Sequence, residues 1–405
     1  MNFLESVQMA GKTLLSNKLR SALTMLGIVI GNASVIAMIG VGEGGQRYVA
    51  KELQSLGPNV LFVIPGNQET QRITRDVPKT LVYADALAIA SQVPTVASVT
   101  SELNSRQVVT YKNRNTNANI VGTTPTFLTV RDYETAKGRF FSDIDMKRSN
   151  QVVVLGNDLA ERLFGSRNPV GQQLRIKNTS FQVIGVLVGK GGGLGVNYDE
   201  ALLVPLTTIA NRIVGRTSPY GLELTYIVAS AKNADSVEAV EFQVTNLLRQ
   251  RHKITGEDDF TIRTQKDLLQ TFGQITGILT LMLAAIASIS LFVGGIGIMN
   301  IMLVSVTERT QEIGLRKAIG ATEQDILLQF IIEAVIVSAA GGLIGTAVGV
   351  SGILLVGAVS PLEAAISPVA IAMAVGVSGG IGLFFGVVPA RRAAKLDPIV
   401  ALRSA

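Results

Sequence analysis

The stretch SVTERTQEIGLRKAIGAT, Ser305 to Thr322, sits between two long apolar runs and gathers Glu308, Arg309, Glu312, Arg316 and Lys317. No charged residue precedes it back to Asp267, and beyond Asp325 only Glu333 and Glu363 carry charge before Arg391. Glu312 and Arg316 are four apart with the acid first, the favourable direction on a helix. Ile313, Leu315 and Ile319 supply apolar contacts, Gly320 can end the helix, and TEQD (Thr322–Asp325) caps the next one. The segment therefore reads as a short charged helix lying across a membrane face.

Composition agrees. The 405 residues are 47% hydrophobic and 16% charged, with mean hydropathy +0.38; soluble proteins carry about 25% charged residues. Forty-one glycines and no tryptophan suit closely packed membrane helices. The formal charge of +6 reflects basic residues beside apolar runs, which sets orientation and does not point to nucleic acid. Without cysteine, disulfides, thiolate catalysis, Fe–S clusters and zinc–thiolate sites are excluded.

A membrane helix needs roughly 20 apolar residues, and four runs qualify: 21–42, 272–306, 326–359 and 368–389. The second, about 35 residues or ~52 Å as helix, exceeds the bilayer and predicts an outward stalk. TQKD (Thr264–Asp267) is a capping signature that places its start early. The first run can continue outward to about residue 56, where Gly57-Pro58 stops it. Residues 1–20 read as an amphipathic helix, with Phe3, Leu4, Val7, Ala10, Leu14 and Leu15 on one face. It either lies on the membrane or extends the first span; the apolar run behind it is too long for a cleaved signal peptide.

Lys12, Lys18 and Arg20, then Arg309, Arg316 and Lys317, then Arg391, Arg392, Lys395 and Arg403 fall on one side if both termini are cytoplasmic. The chain is then a membrane α-helical protein of four transmembrane helices, with a large extracytoplasmic α+β domain (43–271) between the first and second. Within it, 58–114 and 216–264 each read as strand–helix–strand, a split βαβ unit. On the second helix Val237, Val240, Val244, Leu247 and Leu248 share a face. Residues 115–215 read as a β-rich insertion, and Gly189–Asp199 as a mobile glycine loop. The remaining segments are a cytoplasmic coupling helix at 307–325 and a cytoplasmic tail at 390–405.

Most candidate chemistry fails. SVQMAGKT (Ser6–Thr13) has Ser6 where a phosphate-binding loop needs its first glycine. VGKGGG (188–193) has Ile184 at that place and no Ser or Thr after Lys190. No catalytic residue and no metal site is assigned. His252, the single histidine, reads as a solvated surface residue, and Asp143, Asp145 and Glu257–Asp259 read as solvated turns. Inside the membrane runs, Asn300 and Glu333 stand out as interhelical hydrogen-bonding or gating groups. VGGIG (Val293–Gly297) and GGLIG (Gly341–Gly345) offer small residues for close helix approach.

GGIGIMNIMLVSVTERTQEIGLRKAIGAT (Gly294–Thr322) and VVPARRAAKLDPIVALR (Val387–Arg403) resemble the coupling segment and C-terminal signature of the MacB/FtsX family of ABC transporter permeases. NVLFVIPG, GRFFSDID, VVVLGNDLAERLFGSRNPVGQQLRI and FQVIGVL resemble its external domain in order, so the likeness covers nearly the whole chain and is strongest to MacB-type permeases. The resemblance implies a homodimer in the bacterial inner membrane. It implies that Thr307, Glu308, Arg309, Glu312, Ile313, Arg316 and Lys317 form the helix that meets a nucleotide-binding subunit. The chain opens at Met1 on the amphipathic segment, so the ATPase, with its ATP and Mg, is expected on a separate polypeptide and no cofactor on this one. The implied mechanism is mechanotransmission: ATP-driven movement carried by long helices to the external domain. A periplasmic adaptor and an outer-membrane channel are the implied partners, and peptides, macrolides or lipidic molecules the implied cargo. A lipoprotein-releasing permease and an FtsX-like regulator of a cell-wall hydrolase are the alternatives.

Overall fold

The computed structural model describes residues 18–67, 78–191, 197–215, 218–360 and 362–403. Of the surface helix expected over residues 1–20, residues 1–17 lie outside the described residues, as does the centre of the glycine loop, 192–196; residues 18–20 belong to the helix of the first span. The chain divides into two compact units, Val49–Thr271 and Met1–Tyr48 with Phe272–Ala405.

Helix α1 runs unbroken from Lys18–Ser55, well past residue 42. Most of its glycines mark close approaches instead of breaks: a Cβ on Gly44 would stand 2.4 Å from the Glu363 carbonyl. Gly57, at φ +110° and with its Cα face against the Val130 carbonyl, ends the helix.

In the unit Val49–Thr271, β1 (Val60–Pro65), α2 (Tyr83–Gln92) and β2 (Val96–Tyr111) form one half of the split motif. β9 (Tyr226–Ala231), α3 (Val237–His252) and β10 (Phe260–Thr264) form the other. The halves interlock in the order β10-β1-β9-β2, with every neighbouring pair antiparallel, the ferredoxin-like order. Val240, Val244 and Leu248 of α3 are fully buried, and Val237 and Leu247 pack at the core's edge. β2 is one 16-residue strand that belongs to two structures at once. Its second half pairs β3 (Arg114–Thr123) and β6 (Gln173–Ile176). The insertion adds β4 (Thr135–Gly138), β5 (Val152–Leu155), β7 (Thr179–Leu187) and β8 (Ala201–Pro205). The ladder β2-β3-β8-β5-β7-β6 returns to β2, so the insertion closes as a small barrel around Val109, Ile120, Val153, Phe181 and Leu202. Lys190, the false phosphate-loop lysine, bonds the Asp132 carbonyl and stands 4.7 Å over the Tyr133 ring.

The second unit is a helical bundle. α4 (Gln265–Glu308) has 44 residues, ~66 Å of helix. Thr264 and Asp267 cap it reciprocally, Thr264 N to Asp267 Oδ2 at 2.8 Å and Asp267 N to Thr264 Oγ1 at 3.1 Å. Then come α5 (Thr310–Ala318), α6 (Glu323–Val359), α7 (Pro368–Ala394) and α8 (Pro398–Arg403). Among the described residues α1, α4, α6 and α7 are long and apolar enough to cross a membrane. The segment expected as one coupling helix, 307–325, is divided, and the helix itself is only Thr310–Ala318. Thr307 and Glu308 finish α4, Arg309 (φ −106°, ψ 18°) breaks it, and Glu323–Asp325 open α6. The hydroxyls of Thr307 and Thr310 bond back to the Val304 and Val306 carbonyls, an alternative to the helix ladder that favours the break.

Small residues set the helix spacing. A Cβ on Gly27 would lie 3.0 Å from Gly294 Cα, one on Gly345 2.8 Å from the Val29 carbonyl, and one on Gly386 2.5 Å from Ala334 Cβ. α1 thus meets α4 and α6, and α6 meets α7, at the near-backbone distances that only such residues permit.

Candidate functional site

Helix α5 has two faces. Ile313, 1% exposed, enters a core with Met302, Val306, Ile326, Phe330 and Ala390. Gly314 is also buried, because a Cβ there would stand 2.7 Å from Ala401 Cβ on α8. Three cations turn inward. Arg309 Nη1 reaches Glu333 Oε1 at 3.4 Å, and Glu333 is 1% exposed within α6. Arg316 Nη1 reaches Gln329 Oε1 on α6 at 2.9 Å, and its Nη2 bonds Glu312. Lys317 Nζ donates to the carbonyls of Ala394 and Leu396, the latter at 2.9 Å, and so caps the end of α7. Thr307, Glu308, Gln311 and Glu312 are exposed, as are Leu315 (56%) and Ile319 (79%). Of the seven residues assigned to this helix by resemblance, only Thr307, Glu308 and Glu312 face out. Ile313 and the cations brace the segment against α6 and α7. The i,i+4 spacing of Glu312 and Arg316 was legible in sequence; the partners Gln329, Glu333, Ala394 and Leu396 come from other helices.

Of the two intramembrane groups, Glu333 lies in this braced cluster. Asn300 does not pack between helices of this chain: it is exposed on α4. Asn32 takes that role, fully buried on α1, donating to Gly342 O at 3.1 Å and accepting from Ser378 Oγ at 2.9 Å. It escaped notice as one small polar residue inside an apolar run.

Two polar clusters in the unit Val49–Thr271 were also invisible in sequence. Arg131 and Glu102 are 2% and 0% exposed and bonded through Nε and Nη2 at 3.1 and 2.9 Å. The hydroxyls of Tyr198 and Tyr226 reach the same carboxylate at 2.8 and 2.7 Å. Burial opposes charging Arg131, but the Glu102 carboxylate outweighs it and holds the guanidinium above its ordinary pKa. Arg131 Nη1 also donates to Leu56 O (3.4 Å), and Gln265 Nε2, at the start of α4, to Leu53 O and Gly57 O (2.7 and 2.9 Å). The end of α1 is thereby tied to the start of α4 and to the inserted barrel.

His252 is not solvated: its side chain is 11% exposed, between Asp85 (3.2 Å) and Asp259 (2.9 Å). Its hydrogen bond to Asp85, aided by Asp259 against the cost of burial, raises its pKa to about 9. Burial would raise the Asp85 carboxyl, but His252, the Val82 amide and Arg251 together hold it low. This is a structural imidazolium held between two carboxylates. Asp145 is likewise no solvated turn: 4% exposed, it caps its own helix through Ser142 and binds Arg139 and Asn150. Glu257 and Asp258 pair with Asn67 and Arg249. Among the described residues no group of acids or histidine could hold a metal ion.

Residues 21–247 match the MacB-like periplasmic core domain family, and residues 284–398 the FtsX-like permease C-terminal family. The macrolide export ATP-binding/permease protein MacB of Bdellovibrio bacteriovorus is 38% identical over 405 residues, covering 99% of this chain and 62% of that protein. MacB of Marinobacter nauticus is 42% identical over 402 residues, 99% and 61% of the two chains. The pyoverdine export ATP-binding/permease protein PvdT of Pseudomonas putida is 38% identical over 406 residues, 99% and 60%. The chain thus spans roughly three fifths of the length of these curated relatives. The crystal structure of the periplasmic region of MacB from Actinobacillus actinomycetemcomitans is similar at TM-score 0.47 and 24% identity, covering 55% of this chain and 96% of that one. With a MacB-like core match that takes in the first long helix and most of the domain after it, and an FtsX-like permease match over the later helices, the chain belongs to the MacB/FtsX family of ABC transporter permeases.

Proposed function

We propose that this chain is the permease part of an export system in a bacterial inner membrane, driven by ATP hydrolysis in an associated ATPase, where ATP and Mg bind. The observation that carries this reading is the two-faced α5. Its outward residues Glu312 and Leu315, with Glu308 just before it and Ile319 just after it, offer a mixed apolar and acidic surface. Its inward residues fasten it to α6 and α7. A push on such a helix moves the bundle instead of bending a loop. Both termini are then cytoplasmic, as the Lys and Arg distribution asks.

Movement reaches the external domain through α4, whose ~66 Å exceed a bilayer's thickness, and through the tie of Gln265 to the end of α1. Such mechanotransmission would act on a periplasmic adaptor and an outer-membrane channel, exporting macrolide-like, peptidic or lipidic molecules. The exposed Asn300 amide on α4 supports pairing with a second copy, since a membrane-buried amide needs a partner.

The test uses the chain reconstituted with its ATPase. Glu308→Arg combined with Leu315→Glu weakens association at least about tenfold, the scale of losing one charged and one apolar contact. Lys317→Met leaves association intact and lowers export per ATP hydrolysed. Unchanged association in the first variant rules out α5 as the docking element.

A further inference from the structure

One stripe of α7 changes chemistry at its end. Val369, Met373, Val377, Phe384 and Val388 recur at helical spacing and are 65, 50, 50, 72 and 49% exposed, as lipid-facing residues are. Arg392 continues the stripe one turn after Val388, Lys395 follows, and Arg391 lies beside them; all three are exposed. Among the described residues none of the three cations meets a carboxylate or makes a side-chain hydrogen bond. The nearby Asp397 is engaged in capping α8, its Oδ1 accepting from Ile399 N at 2.8 Å. α8 itself is seated by Ala401, 1% exposed, against Gly314, and this leaves Ile399 and Val400 68 and 65% exposed.

Cations one helical turn, about 5–6 Å, beyond an acyl-facing residue stand at headgroup depth. Exposed aliphatic side chains beside them suit the boundary between headgroups and acyl chains. We propose that Arg391, Arg392 and Lys395, with Ile399 and Val400, form a docking surface for anionic phospholipid headgroups of the adjoining leaflet. The positive charge supplies the complementarity, and the stripe makes the surface continuous with the membrane span. The inference rests on α7 crossing the bilayer and is independent of the ATPase reading. The lipid would hold the tail, and through Gly314 the α5 segment, at a fixed depth.

The chain has no tryptophan, so one introduced indole is a clean reporter. Val400→Trp is placed in the full chain, reconstituted in mixed phosphatidylcholine and phosphatidylglycerol vesicles in which one or the other lipid is brominated. Quenching by brominated phosphatidylglycerol is expected to correspond to an apparent affinity about threefold or more above phosphatidylcholine, the scale of cations at an anionic surface. The preference falls to none in Arg391→Gln/Arg392→Gln/Lys395→Gln, and in the unaltered charge background at high salt, which guards against a variant that fails to insert. Val369→Trp, at the opposite end of α7, is quenched by both lipids equally. Equal quenching at position 400, a preference that survives both charge removal and salt, or no quenching there by either lipid, as for a tail presented to a protein, overturns the proposal. Absence of quenching at position 369 refutes the span itself.

Discussion

His252 gives the external unit a defined pH dependence. Its pKa rises from 6.5 to about 9 through Asp85 and Asp259, so the folded state binds the proton more tightly than the unfolded chain. The contribution is complete below pH 6.5 and is lost as pH climbs through about 9. At ~1.4 kcal/mol per unit the shift bounds it at ~3 kcal/mol. Asp259 is 29% exposed, and solvent screening of that partner reduces the expected value to ~1–2 kcal/mol. The seven tyrosines, and no tryptophan, report the unfolding; six lie in the external unit and the seventh, Tyr48, is replaced by Phe in the proteins compared. Tyrosine fluorescence in urea therefore follows the external unit within the intact chain. Unaltered protein should lose ~1–2 kcal/mol between pH 6.5 and 9.5. His252→Gln should start lower by that amount and lose none of it, so that the two converge near the upper limit. A gap between them that is the same at pH 6.5 and 9.5 would refute the imidazolium assignment.

Three further outcomes follow from the packing. Arg131→Met strands the Glu102 charge in the interior and should cost ~3–5 kcal/mol in the same urea assay, most of it recovered by adding Glu102→Gln. Gly345→Leu, whose Cβ would meet the Val29 carbonyl at 2.8 Å, should prevent α1 from seating on α6, while Gly379→Leu, with nothing within 4 Å, is tolerated; thermal melting of the helical circular dichroism compares them. Asn32→Leu removes the bonds to Gly342 and Ser378 and should lower bundle stability by ~0.5–2 kcal/mol in the same melt.

Four apolar runs, the caps at Thr264 and Thr322, and the two halves of the split motif were legible because each signal is local. A run of apolar residues needs no partner to be seen, and a capping box closes within three residues. Even the spacing that puts Val240, Val244 and Leu248 on one face is contained in a single helix. The tertiary structure alone decided which polar groups hold these pieces together. Arg131 finds Glu102 and Leu56, Gln265 finds Leu53, Arg309 finds Glu333, Lys317 finds the end of α7, and Asn32 is the amide between helices of this chain. These partners lie from 24 to more than 300 residues apart, and a long-range contact leaves no periodicity in the chain. His252 and Asp145 misled for the same reason. A charged neighbourhood in sequence looks solvated, and only the fold reveals that its charges face one another out of water.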